Sequence, residues 1–169
     1  MNRVRLLLMV LLVGCQKPVV IAAPAPMPAP SAADALDAID SRKPVPLLPM
    51  MANHQKQNMR EHLVAVQEIV SALGSDDFAR IEAAASRIGS SPQMGQMCNH
   101  MGKGAPGFTE QALGFHSTAD GIAAAAKEKD KAKVLAALDA TLKTCTACHE
   151  TWKQKIVTDA EWQQATAGH

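Results

Sequence analysis

Cys145-Thr146-Ala147-Cys148-His149 is the stretch of this chain whose residue types and spacing can do chemistry. On a helix, residues i and i+3 lie on one face about one turn apart. Two thiols placed that way can reach the two vinyl groups of one porphyrin and form thioethers. His149, four residues after Cys145, follows on the same face, and its imidazole can bind iron from the proximal side. Cys-x-x-Cys-His is the attachment signature of a c-type haem, and the full pentad is far rarer by chance than a bare Cys-x-x-Cys.

Other uses of the same residues fit less well. A thioredoxin-like redox pair opens a helix after a strand, whereas Cys145 and Cys148 sit deep inside a helical pattern. A zinc site needs four ligands, so Cys98 and His100 would have to join the pair. That set, Cys98, His100, Cys145 and Cys148, defines a metal-binding module without haem, which haem retained through denaturation would eliminate.

The amino terminus speaks to compartment. Arg3 and Arg5 precede an apolar run from Leu6 to Val13, followed by Gly14-Cys15. A positive stretch before a short apolar one reads as a secretory signal, too short to span a bilayer. Leu12-Val13-Gly14-Cys15 resembles a bacterial lipobox, which implies cleavage after residue 14 and lipidation of Cys15. The alternative is a plain signal peptide cleaved near Ala22-Ala23. Residues 1–14 are then the signal and 15–49 a lipid-anchored tether. This segment holds eight of the ten prolines, which favour an extended chain. Its Ala32 to Asp40 stretch could form a transient helical turn. The expected location is the periplasmic side of a bacterial membrane. Gln16 is not an Asp retention signal, which by resemblance favours the outer membrane. A formal net charge of +1 gives no reason to expect a nucleic-acid partner.

The elements that must position the motif read as helices. There is no tyrosine and no clear period-2 run, so strands are not expected. The first helix is expected from Met50 to Leu73, with the stripe Met59, Leu63, Val66, Val70, Leu73 inward and Gly74 ending it. The second starts at Ser75 as N-cap and buries Phe78, Ile81, Ala84, Ala85 and Ile88. A glycine- and proline-rich loop follows, with one short helix near Met94 to Met101. The third runs from Thr109, its N-cap, to Lys129. The fourth runs from Asp130 to about Val157 with the seam Leu135, Leu138, Leu142, Cys145, His149, Trp152, Ile156. On that seam the haem would lie inside the bundle. The expected fold is all-α: an antiparallel up-down-up-down four-helix bundle over residues 50–158, with one covalent haem, and 159–169 as a tail.

The position of the motif narrows the family. Twenty residues follow His149, so a distal ligand must come from upstream. Phe108, Phe115, the Ala123 to Ala126 run, Lys129-Asp130, Leu135 and then Cys145-Thr-Ala-Cys148-His149-Glu-Thr-Trp152-Lys153 resemble the cytochrome c′ family. The resemblance spans about Met50 to Lys155 and is strongest from Thr109 onward. It implies a four-helix bundle, often a homodimer, with one haem c near the bundle's end. Lys153 stands where the family usually has Arg. High-spin members have an apolar residue from the first helix over the iron and bind nitric oxide or carbon monoxide. Low-spin relatives have Met there and look like electron carriers. Counting back from the turn after the first helix, Met59 falls close to that position, and Gln55 or Lys56 stands where the family has a basic residue. His54 and His62, expected as partly exposed surface residues flanking the stripe, are rival ligands, as is His116.

Met94, Met97, Cys98, His100 and Met101 crowd into one short stretch. They either pack over the haem edge or the bundle end, or hold copper(I), and a Met from this group could compete with Met59 for the iron. No nucleophile–base pair stands out, so the chain is not expected to be an enzyme. The first functional reading is electron transfer with periplasmic redox partner proteins and a membrane anchor. The alternative is gas binding at an open distal site.

Overall fold

The computed structural model describes residues 31–168 and gives the expected all-α class, with one small sheet added. Cys15 and the signal lie outside the described residues. The chain divides into an N-terminal unit, 1–39, and a compact unit, 40–169. In the first, α1 (Ala32–Ile39) buries no residue, and the Ser31 hydroxyl and Asp34 carboxylate bond across its first turn.

Four helices carry the bundle: α2 (Pro49–Leu73), α3 (Phe78–Ile88), α5 (Phe108–Lys127) and α6 (Lys131–Thr151). Short turns between α2 and α3 and between α5 and α6 make each pair antiparallel neighbours. α2 packs on α3, α3 on α5 and α5 on α6, while α2 and α6 lack packing of that extent. α4 (Pro92–Gly102) occupies the expected short-helix position. Ser91 caps it by accepting the Met94 N–H, with Pro92 at the first helical position, where a missing N–H costs nothing.

Caps correct two starts. Asp77, not Ser75, caps α3 by accepting the Arg80 N–H, and Ser75 donates its hydroxyl back to the Ala72 carbonyl. α5 begins after Gly107, whose φ of 91° suits glycine, while Thr109 donates its hydroxyl to the Cys98 carbonyl and ties α5 to α4. Asp130 caps α6 by accepting the Lys133 N–H, and the helix starts near Asp130 as expected.

The larger corrections lie at the edges of the domain. Lys43–Leu47 forms β1 and Trp152–Ile156 forms β2, paired in parallel with Lys43 opposite Trp152 and Leu47 opposite Ile156. The fourth helix therefore ends at Thr151. Val45 and Leu47 are fully buried, so part of the expected tether belongs to the core. Pro44 and Pro46 are tolerated because a two-stranded sheet consists only of edges. The expected tail contains α7 (Asp159–Thr166), whose N-terminus is a reciprocal capping box between Thr158 and Glu161.

Two expected stripes also change. On α2 the buried residues are Ala52, Gln55, Ala65, Ile69, Ala72 and Leu73, while Met59, Leu63 and Val70 are 41%, 69% and 55% exposed. On α6 Val134, Leu138 and Thr141 are buried, and Leu135 and Leu142 are exposed along with His149. Ile156 is exposed on β2. The single inward seam predicted for the fourth helix is thus split: Leu138 and Trp152 face the core and Leu135, Leu142 and His149 do not. Small alanines at the contacts let α2 and α3 approach closely, and this chooses a face that apolar bulk alone does not indicate.

Candidate haem site

The motif lies at the C-terminal end of α6. Cys145 is half-buried against a cluster of Ala65, Ile88, Phe115 and Ala119, supplied by α2, α3 and α5. Cys148 is half-buried against a second cluster, which includes Val45, Leu47, Met101, Phe108 and Trp152. Both are free thiols, and burial pushes each above the usual range, further for Cys148 because of Cys145 beside it. His149 is exposed on the face that also carries Leu142 and Leu135, seven and fourteen residues earlier.

The end of α6 is held from outside the bundle. Arg42 donates from Nη1 to the carbonyl oxygens of His149 (3.2 Å) and Trp152 (3.5 Å), and Asp40 holds the guanidinium at 2.7 Å. A cation at a helix C-terminus satisfies carbonyls left without intrahelical partners. Asp40's carboxyl is held down at about 2 by its hydrogen bonds from Arg42. Lys153 donates to the Asp40 carbonyl at 2.8 Å. The buried Trp152 ring donates from Nε1 to Gln111 at 2.7 Å and stands edge-on to Phe108. Gln154 donates to the Ala52 carbonyl (3.2 Å) and to the buried Gln55 side chain (2.5 Å), tying β2 to the first turns of α2. Gln55, one of the two residues that stand near the family's basic position, is thus a structural contact.

The candidate distal residues separate. Met59 is a 41% exposed thioether on α2, four residues before exposed Leu63. His54 is exposed and points to α4, where its Nε2 lies 3.0 Å from the Met97 sulfur. His62 is partly exposed, as expected, but it is engaged on its inner side. Its ring stacks on Phe115 with centroids 4.6 Å apart and meets His116 edge-on at 5.5 Å. Burial, with His116 adding to it, pushes His62 down to about 4. His116 is buried, its Nδ1–H donates to the Ile88 carbonyl at 2.8 Å, and burial lowers its pKa also. Two uncharged histidines and Phe115 therefore sit beside Cys145's cluster. The Phe115-His116 pair was legible in sequence; their joining with His62 was not. Arg42, Asp40 and Gln154 carried no signal, because they act across about a hundred residues of chain.

The donor set fits a haem. Two thiols one turn apart and the following imidazole lie on one helix, with exposed apolar stripes on α2 (Met59, Leu63, Val70) and α6 (Leu135, Leu142), the bundle pair that lacks close packing. The same residues fit zinc poorly: among the described residues no group of three His, Cys, Asp or Glu could hold a metal ion. The four-ligand set with Cys98 and His100 is therefore not assembled. Cys98 is buried in α4, and His100 packs against Trp162.

No curated protein and no solved structure matches the chain. A family model described as Cytochrome C' matches residues 103–153, which run from the end of α4 into β2 and contain the whole motif. This segment is similar to the cytochrome c′ family, and that similarity points to a c-type cytochrome with covalently bound haem c.

Proposed function

We propose that the protein is an exported, lipid-anchored cytochrome with one haem c, and that it transfers electrons to and from partner proteins in the periplasm. The haem, when bound, supplies the one-electron chemistry. Cys145 and Cys148 hold the group through two thioethers and His149 is its proximal ligand. Arg42, Trp152 and Gln154 fix the end of α6, so that His149 keeps its orientation between redox states. Met59 is the distal ligand from α2. The observation that carries this reading is the exposed apolar stripe of α2, on which Met59 is the one residue with a donor atom suited to iron. Methionine ligation raises the potential of a c-type haem, which suits an electron carrier.

Leu63, one turn beyond Met59 on the same stripe, supports a second reading. With Leu63 over the iron the distal side is open, and the protein binds nitric oxide or carbon monoxide as high-spin relatives do. Cys15 as a lipid anchor, with the proline-rich segment as tether, serves either function. Among the described residues no helix is long and apolar enough to cross a membrane.

Absorption spectra of the ferric and ferrous protein, with and without carbon monoxide, repeated on Met59→Ala, separate the readings. Electron transfer through a Met59-ligated haem requires a low-spin spectrum with a thioether-to-iron charge-transfer band that the substitution abolishes. A high-spin spectrum that responds at once to carbon monoxide and ignores the substitution establishes gas binding instead.

A further inference from the structure

We propose a second, soft-metal site on the seam between α2 and α4, formed by Met51, His54 and Met97 and suited to copper(I).

On α2, Met51, His54 and Asn58 step by three and four and share a face; on α4, Met94, Met97 and Met101 do the same. The two faces meet at the Met97 sulfur. His54 Nε2 lies 3.0 Å from it, and Asn58 Nδ2 donates to it, also at 3.0 Å. Met51 and Met97 pack, half-buried, on the same cluster of Val45, Leu47, Ala52 and Met101. One thioether and one imidazole from two helices thus meet directly. The thioether of Met51, on the His54 face of α2 and packed on the same cluster as Met97, supplies the nearest further soft donor on that helix, with Met94 one turn before Met97 and also half-buried.

Packing alone explains this poorly. A thioether is a weak hydrogen-bond acceptor, so an amide N–H and an imidazole nitrogen turned toward one sulfur gain little from it. Met97 is not sealed in the core, and exposed His54 reaches inward to meet it rather than toward water. Neutral imidazole and thioether are instead the donors that soft ions select, and copper(I) above all. No cluster of His, Cys, Asp or Glu surrounds the described site, so zinc, which favours thiolate, imidazole and carboxylate, has too few ligands. The flexible methionine side chain and the exposed histidine can open to admit an ion without moving a helix. Met101, 7% exposed, packs in the core beneath.

The site uses neither the haem motif nor Met59, so its test is independent of the cytochrome's function. The purified mature protein is titrated with copper(I), without oxygen and against a competing chelator, and with silver(I) as a probe that does not change oxidation state. Far-UV circular dichroism verifies that each variant folds. The expected result is one ion per chain, with Met97→Leu and His54→Gln each weakening binding at least about tenfold, or about 1.4 kcal/mol. Met51→Leu weakens it less, and Cys98→Ser leaves it unchanged. The proposal is overturned if the chelator strips the ion completely. It is equally overturned if binding follows Cys98→Ser and is indifferent to Met97→Leu and His54→Gln.

Discussion

The two ends of the bundle are built from different residues. At the end away from the motif, Ile69, Ala72, Leu73, Ile81, Ala84, Ala85, Ile122, Val134 and Leu138 form one aliphatic core with no polar member. At the motif end the interior holds Cys145, Cys148, Phe115, His116, Trp152, Gln55 and methionines, joined by hydrogen bonds and ring contacts. Large apolar residues are left at the surface there, with Met59, Leu63 and Leu142 all more than 40% exposed. The first end needs only burial to be stable. The second gives up dry packing for groups that ligate and donate, and depends on β1, Arg42 and Gln154 to hold it in shape. Stability and chemistry are thus concentrated at opposite ends of the same helices.

The largest expected effect is at the motif end. Replacing Cys145 and Cys148 together by Ser abolishes haem retention on a denaturing gel, while circular dichroism still reports a helical protein. Loss of helix together with haem would show that the aliphatic end does not hold the fold by itself.

Next comes a direct contrast of the two ends. Ile122→Ala empties a fully buried position in the aliphatic core and costs about 2–5 kcal/mol in urea unfolding. Leu142→Ala removes a 42% exposed side chain and changes the stability of the haem-free protein by no more than about 0.5 kcal/mol. Equal costs would erase the distinction between the ends.

A pH titration sharpens the contrast further. His62 titrates at about 4 in the folded protein and near 6.5 when unfolded. Above pH 6.5 both states are neutral at this residue. Between 6.5 and 4 the unfolded chain takes up a proton that the folded one refuses, so stability is lost as pH is lowered through that window and levels off below it. His116, also lowered, acts in the same direction. His62→Phe keeps a ring on Phe115 and flattens the slope measured by thermal unfolding. An unchanged slope would place the protonation elsewhere.

The smallest effect belongs to the brace. Trp152→Phe keeps an aromatic against Phe108 but loses the bond to Gln111, at a cost of about 1 kcal/mol in urea unfolding. Hydrogen exchange should quicken first in the last turn of α6, and faster exchange spread evenly over the bundle would deny the brace a local role.

Much of this was legible in the chain. The all-α class, the helix positions, the start of the fourth helix near Asp130 and the motif all rest on spacing within a turn or two. The β1–β2 pairing escaped because Lys43-Pro-Val-Pro-Leu47 reads as linker, and its partner lies about a hundred residues away. The ring contacts of the partly exposed His62 escaped because an amphipathic pattern does not say which of two adjacent faces a neighbour covers. Once α2 settles on α3 through Ala65, Ile69 and Ala72, the face carrying His62 turns toward Phe115, and Met59 and Leu63 move to the flank.

The sequence by itself determined that two thiols and an imidazole stand on one helix face, because the geometry of a helical turn is local and independent of the rest of the chain. Only the tertiary structure decided which histidines lose their water, which methionines stay accessible and which distant residues hold the end of α6. Those outcomes depend on contacts between segments far apart in the chain, where packing, and not spacing, sets the neighbours.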